Sequence, residues 1–301
     1  MKKNVNITWA VVTATLTLLI LFNAISMVWA AVIDSSLSVG NSAPSVGVVA
    51  VDDATGSPSN EVDLSDGLTV EVNCSATVTD NNGYANVSGA AAELFLNSED
   101  LDDFSGNTDD ANNRYTNTSC ALSGGSGNTV DVVCSFTVEY YADPGEWNCT
   151  INATDDIAYG VGWDNTTINT LTALSVPSSL SFGSLALGAT SGDQTLTVTN
   201  TGNEQIDISL DGYGSVNGDG YAMTCSTGNV DLANLRYDLS SDTAFGSMTS
   251  LTDDSVTLSS FDLAQRTGAV STKDAYWKIQ IPASGVSGSC SGKINVLATS
   301  G

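Results

Sequence analysis

Residues 130–156 constrain this chain more than any other stretch. Val130, Val132, Cys134, Phe136, Val138 and Tyr140 occupy alternate positions; Asp131, Ser135, Thr137 and Glu139 occupy the others, with Val133 the one apolar exception. A side-chain period of two belongs to a β-strand with one buried face. Asp143-Pro144-Gly145 follows, with proline and glycine at the positions a tight turn favours. The alternation then resumes, with Trp147, Cys149, Ile151 and Ala153 on one side and Glu146, Asn148, Thr150 and Asn152 on the other. The pattern predicts two antiparallel strands joined by a tight turn, with two cysteines and a tryptophan directed into one core.

The same texture runs through the chain. Leu68, Val70, Val72, Cys74, Ala76 and Val78 alternate with polar residues up to Asp80-Asn81-Asn82-Gly83, whose Asn-Gly step signals a turn. Shorter strands are predicted over 46–51, 90–96, 115–122 and 161–174. Further strands are predicted around 196–200, 206–210, 221–225, 230–237, 256–261, 275–281 and 293–297. Turn signals at a spacing of about 8–12 residues suit a sandwich or barrel. No convincing helix lies beyond the first 31 residues. The expected fold is all-β, two tandem sandwiches: an acidic one over 44–174, a linker over 175–178, and a second over 179–301. Apolar content of 42% in 301 residues is enough for two real cores.

Composition narrows function. Histidine is absent, which excludes Ser-His-Asp and Cys-His nucleophile systems, HExxH zinc sites and haem–histidine ligation. The net charge of −26 is unevenly placed: −21 over residues 32–173, where Arg114 is the single base, and −7 over 174–301. Such a surface repels phosphate backbones, so nucleic acid is not an expected partner.

Residues 1–31 join Lys2 and Lys3 to a long apolar run ending in Val28-Trp29-Ala30. This is the pattern of a secretory signal peptide. The run is also long enough for an uncleaved anchor with its lysines on the inner side, a membrane tether. Either reading exports the rest. Residues 32–43 read as a polar, loosely patterned leader, and as a donor strand for a neighbouring subunit if the protein builds a filament.

Six cysteines in an exported chain imply disulfides. Cys225 and Cys290 form the expected pair of the second domain. Cys74, Cys120, Cys134 and Cys149 allow three connectivities. The inward positions of Cys74 and Cys149 favour their pairing across the core, and Cys120–Cys134 then ties the strands that flank Gly124-Gly125-Ser126-Gly127. No CxxC motif points to metal or redox chemistry.

Cys74 on an early strand, with Trp147-Asn148-Cys149 after an Asp-Pro-Gly turn, resembles the second and sixth strands of immunoglobulin-like domains, which an inter-sheet disulfide joins. The chain departs from that pattern in two places. Trp147 stands where a tyrosine is usual, and residues 90–96 lack the core tryptophan. Leu180-Ser181-Phe182-Gly183 and Leu196-Thr197-Val198-Thr199-Asn200-Thr201-Gly202 are similar to Ig-like modules of prokaryotic cell-surface proteins. The resemblance implies adhesive, surface-layer, envelope or filament roles, with self-association or other surface proteins and glycans as partners, and rarely catalysis.

Three sets of candidate site residues follow. Sequons for N-glycosylation occur at Asn73, Asn86, Asn117, Asn148, Asn152 and Asn165, and Asn73, Asn148 and Asn152 fall on the solvent side if the neighbouring cysteines point inward. Glu99, Asp100, Asp102, Asp103, Asp109 and Asp110 form the longest acidic loop. A solvated loop is the leading reading, and calcium is the cation such oxygen donors suit otherwise. Tyr140-Tyr141 and Tyr276-Trp277 are candidate sugar-stacking pairs, of which one ring each is expected in the core.

Overall fold

The computed structural model describes residues 33–53, 55 and 60–301. The leader-or-anchor expectation for residues 1–31 lies outside these residues. Residues 41–301 form one compact unit. Residues 33–40 fall outside that unit, take part in no strand, and are exposed along their whole length.

The first sandwich runs through Ser45–Val46 (β1), Ala50–Asp53 (β2), Glu61–Val62 (β3), Val70–Thr79 (β4), Gly89–Leu96 (β5), Arg114–Asn117 (β6), Ala121–Ser126 (β7), Thr129–Val138 (β8), Gly145–Thr154 (β9) and Tyr159–Ile168 (β10). One sheet has the order β1/β2-β4-β8-β7, and the facing sheet β3-β10-β9-β5-β6. With β1/β2 as strand A and the rest lettered in chain order, these are the ABED and GFC layouts of immunoglobulin-like sandwiches, with β3 added beside strand G. The alternation placed the core correctly: Val72, Cys74, Val78, Val132, Cys134, Val138, Trp147, Cys149, Ile151 and Ala153 are fully buried.

One expectation is corrected. β8 and β9 are not a hairpin. β8 pairs with β4 and β7, whereas β9 pairs with β5 and β10 in the opposite sheet. Residues 139–144 carry the chain from one sheet to the other, and Gly145, at φ 137°, begins the new strand. A hairpin and an inter-sheet crossover both direct alternate residues into the same core, so side-chain periodicity reads identically for the two. The connection length separates them, because Tyr140, Tyr141 and Ala142 continue the buried path after β8 ends.

The second sandwich comprises Leu174–Ser175 (β11), Gln194–Asn200 (β12), Ile206–Tyr213 (β13), Tyr221–Thr227 (β14), Asn229–Asp231 (β15), Leu235–Asp238 (β16), Thr249–Ser250 (β17), Val256–Leu263 (β18), Thr272–Ile279 (β19), Ser287–Ser291 (β20) and Lys293–Ser300 (β21). β11-β12-β19-β16-β17 form one sheet. Facing it are two short sheets, β18-β13-β21 and β15-β14-β20. Their registers make them one bent ribbon. β21 pairs with β13 up to Tyr213–Lys293, and β20 continues on β14 from Thr224–Ser291. The bend falls at Gly292, where a Cβ would lie 1.8 Å from the Ala222 carbonyl oxygen, so only glycine fits. The core holds Trp277, Phe261, Ile206, Ile208, Leu210, Leu235 and Ile279.

Leu174–Ser175 already pairs with the end of β12, and Val176 packs against the second core. The predicted strand over 230–237 is broken by a short 3-10 turn, Leu232–Asn234.

Candidate functional surface

All six cysteines are paired, as Cys74–Cys149, Cys120–Cys134 and Cys225–Cys290. Cys74 and Cys134 face each other in register on β4 and β8, yet each bonds elsewhere. Cys74 reaches across the core to β9, and Cys134 reaches Cys120, just ahead of β7. Three such bonds are those of a protein that matures in an oxidising compartment.

Trp147 replaces the usual corner tyrosine without losing its function. Its indole Nε1–H donates to the Asp143 carbonyl four residues upstream, at 2.8 Å, and the ring is fully buried. The hydrogen bond that a tyrosine hydroxyl makes in related folds is thus supplied by an indole. Leu94, in register with Cys149 and fully buried, takes the place of the absent core tryptophan.

The outer face of the β3-β10-β9-β5-β6 sheet holds most of the polar chemistry. Strand alternation turns Glu93 and Phe95 of β5 outward, beside Arg114 of β6, yet all three are buried. The acidic loop after β5 lies over them. Glu93 pairs with the Arg114 guanidinium and accepts the Asp102 N–H at 2.9 Å. Arg114 also donates to the Asp100 carbonyl and stands over the Phe95 ring at 5.6 Å. A buried ion pair is tolerable only when its remaining hydrogen-bonding capacity is met, and here the loop backbone meets it. The single base of the first domain is therefore a clamp that fastens the loop to the sheet.

This arrangement changes the reading of the six loop carboxylates. Asp102 accepts the Thr108 hydroxyl at 2.5 Å, Asp103 the Ser105 N–H at 2.9 Å, Asp109 the Thr116 hydroxyl at 2.6 Å, and Asp110 the Asn112 N–H at 3.0 Å. Glu99 and Asp100 are exposed. The Thr108 hydroxyl and the Asp103 N–H hold the Asp102 carboxyl below its ordinary value. Among the described residues, no three acidic side chains converge as a cation site requires. Asp102, Asp103, Asp109 and Asp110 are thus each engaged by the loop's own hydrogen bonds.

Three sequons share this outer face. Asn148 and Asn165 are cross-strand neighbours on β9 and β10, and Asn152 lies opposite Val161. The Asn165 amide donates to Glu146 at 2.6 Å. Asn73 and Asn117 form a second group around Ser135: the Ser135 hydroxyl donates to Asn73 at 2.5 Å, and the Asn117 amide donates to the Ser135 carbonyl at 2.9 Å. Asn86 is exposed in the 3-10 turn Tyr84–Asn86.

Beside the three sequons, Tyr159, Val161 and Trp163 form an exposed ridge along β10, with Trp163 62% accessible. No sequence signal singled this ridge out. Its residues sit in a Thr-rich strand whose other face, Gly160 and Gly162, is too small to mark an inside. The pairs that were singled out lie elsewhere. Tyr140 and Tyr141 are both buried and meet edge-on at 5.0 Å, and Trp277 is fully buried beside Tyr237.

The tyrosine pair belongs to the junction between the sandwiches. The Arg266 guanidinium stands 4.4 Å over the Tyr141 ring. The fully buried Asn203 amide donates to the carbonyls of Ala142 at 3.0 Å and Asn169 at 3.1 Å, while its oxygen accepts the Leu171 N–H at 2.6 Å. Asn112 bridges similarly, donating to the carbonyls of Tyr141 and Arg266, each at 2.9 Å. The Gly67 N–H donates to the Thr201 carbonyl at 3.1 Å. These buried groups are satisfied only when the two sandwiches are in contact.

No family model matches the chain, and no curated protein matches it in sequence. Comparison with solved structures finds a chaperone–tip adhesion subunit pre-assembly complex of the archaic chaperone-usher Csu pili of Acinetobacter baumannii. It is 9% identical over 79% of this chain and 96% of that one, with a TM-score of 0.38. A chaperone–tip adhesin complex of CFA/I fimbriae is 12% identical over 87% and 92% of the two chains, with a TM-score of 0.28. An Escherichia coli alpha-2-macroglobulin is 14% identical over 83% of this chain and 16% of that one, with a TM-score of 0.24. All three scores are low.

Proposed function

We propose that this chain is an exported structural or adhesive component of a cell surface: a surface-layer, envelope or filament protein that presents its faces to other copies, surface proteins or glycans and carries out no catalysis. The observation that supports this reading best is the junction. Asn203, Asn112 and Arg266 fix two disulfide-stapled sandwiches into one unit over residues 41–301. Independent binding modules on a common chain are ordinarily joined by flexible linkers; a stiff joint suits a part whose spacing matters. Immunogold labelling of intact cells, with electron microscopy of the labelled structures, tests the reading. It expects label in an ordered array or filament on the surface, and label confined to the cytoplasm contradicts it.

The outer face of the first sandwich favours a second reading, a glycan- or protein-binding module. An exposed tryptophan beside a tyrosine is the usual platform for a sugar ring or an interface anchor. On that reading Trp163→Ala abolishes binding on a glycan or surface-protein array and leaves the melting temperature unchanged, since the ring is largely exposed.

A further inference from the structure

The two sandwiches differ at one strand position. In the first, strand F (β9) lies between β5 and β10, so both its edges are paired. In the second, the strand order A-B-E-D is repeated by β11-β12-β19-β16. β20/β21, paired to β13/β14, occupies the place of F. Its other edge pairs with no strand among the described residues, so the place of strand G is open.

Burial follows this difference. The inward residues of β9, namely Trp147, Cys149, Ile151 and Ala153, are all fully buried. Their counterparts on β21, Ile294, Val296 and Ala298, pack on the second core but remain only partly covered. Residues 178–186, which belong to no strand, lie near the β20 part of this ribbon. Beside β20 lies a groove of about 740 Å³, lined by Leu180, Phe182, Leu185, Leu187 and Val286 and by Ser287 and Ser289 of the β20 edge. A groove of mixed polarity along an unpaired strand edge is a place where a sheet can take up a further strand.

Residues 33–39 have the matching form. Ile33, Leu37 and Val39 share one parity with Ser35 and are 85%, 89% and 76% exposed, while Asp34, Ser36 and Ser38 hold the other. Three of the four positions on that side are apolar, and all are exposed. Its own chain's groove is out of reach. Asn41 donates to Asp155 at 2.7 Å, at the end of β9 away from the junction. The ten residues of β9 span about 33 Å. Residues 33–40 span at most about 28 Å, less than the length of β9.

We propose that the open edge of the second sandwich takes up residues 33–39 of a second copy as its missing strand, so that copies join head to tail. A heterologous contact of this kind does not close on itself unless the rotation happens to make a ring, and it yields filaments. The proposal rests on the reading of the chain as a surface component, but its test uses purified protein and does not depend on where the cell places it.

The test compares the purified full chain with Leu37→Asp, a donor variant, and Leu187→Glu, an acceptor variant at a residue 55% exposed. Both sites are exposed enough for the fold to persist, which thermal melts confirm. Sedimentation and electron microscopy are expected to show polymers for the wild type, monomers for each variant, and dimers when the two variants are mixed. A labelled peptide of residues 33–40 is expected to bind the Leu37→Asp chain and to bind the Leu187→Glu chain about tenfold or more weakly. A wild type that stays monomeric and ignores the peptide overturns the proposal. So do polymers that survive Leu37→Asp, or equal peptide binding by both variants.

Discussion

The first sandwich fills the strand G position beside strand F, and the second leaves that position open. The first fills both strand F edges, adds β3 in parallel beside β10, and covers the outside of strands C and C′ with the acidic loop. The second spreads its ribbon over a bend at Gly292 and leaves the β20/β21 edge bare. The same contrast appears in the disulfides. Cys74–Cys149 joins the two sheets through the centre of the first core, with both residues fully buried. Cys225–Cys290 joins neighbouring strands of one ribbon, and Cys290 is exposed. The difference teaches that one architecture serves two ends here. The first module is built to be inert and durable, and the second keeps a strand position for another chain.

The largest expected effect lies in the clamp of the closed module. Glu93→Gln or Arg114→Ala leaves a buried charge without its partner and destabilises the first sandwich by about 3–5 kcal/mol. Chemical denaturation followed by Trp147 and Trp163 fluorescence measures it, and a loss below about 1 kcal/mol shows that the loop is not fastened as described. Next come the disulfides. Replacing both Cys74 and Cys149 by alanine opens a loop of 75 residues and costs about 4 kcal/mol in the chain-entropy description. Under mild reductant, Cys225–Cys290 is expected to open well before Cys74–Cys149. Differential alkylation and mass spectrometry read the order, and the reverse order breaks the contrast.

A smaller effect is expected at the junction. Asn203→Ala removes its bonds to the Leu171 N–H and to the carbonyls of Ala142 and Asn169, of which Leu171 and Asn169 are half-buried and can turn to water, for a total of about 1–3 kcal/mol. Calorimetry should then resolve two melting transitions where the wild type shows coupled ones. Acid has the mildest effect. Backbone N–H donors from Ser215, Gly214, Tyr221 and Val216 hold the Asp219 carboxyl far below its ordinary value. The Asn41 amide lowers Asp155, and the Asp242 N–H lowers Asp193. Carboxyls with depressed folded-state pKa values bind protons more readily when unfolded. Their stabilisation is therefore complete above about pH 5 and is lost as the pH falls below about 4. The melting temperature should be flat from neutral pH to about 5 and decline below 4, less steeply in Asp219→Asn.

Much of this was legible in the alternation. Inward residues of β4, β8 and β9, the all-β class and the pairing of Cys74 with Cys149 follow from period-two patterning, which reports faces. Partners were not legible. Periodicity says that Val138 and Trp147 share a core, but not that β8 and β9 belong to opposite sheets. Nor does it reveal outward residues that a loop later covers, and so Glu93 was overlooked although Arg114 stood out as the single base of its domain. The acidic loop looked solvated because its charges are real, but its backbone carries the attachment. Residues 32–43 were legible as a possible donor strand, but the edge that could accept one was not, because an unfilled strand position leaves no pattern in the sequence.

The most direct test of the contrast between closed and open edges is amide hydrogen exchange on the monomeric Leu37→Asp chain. Along Tyr159–Ile168, amides bonded to β9 should be protected, and those beside β3 partly so. In Ser287–Ser300, every second amide should exchange at nearly the rate of an unstructured peptide, together with those of residues 180–186. Uniform protection across Ser287–Ser300 in the monomer would mean that the edge is already covered, and would contradict the account.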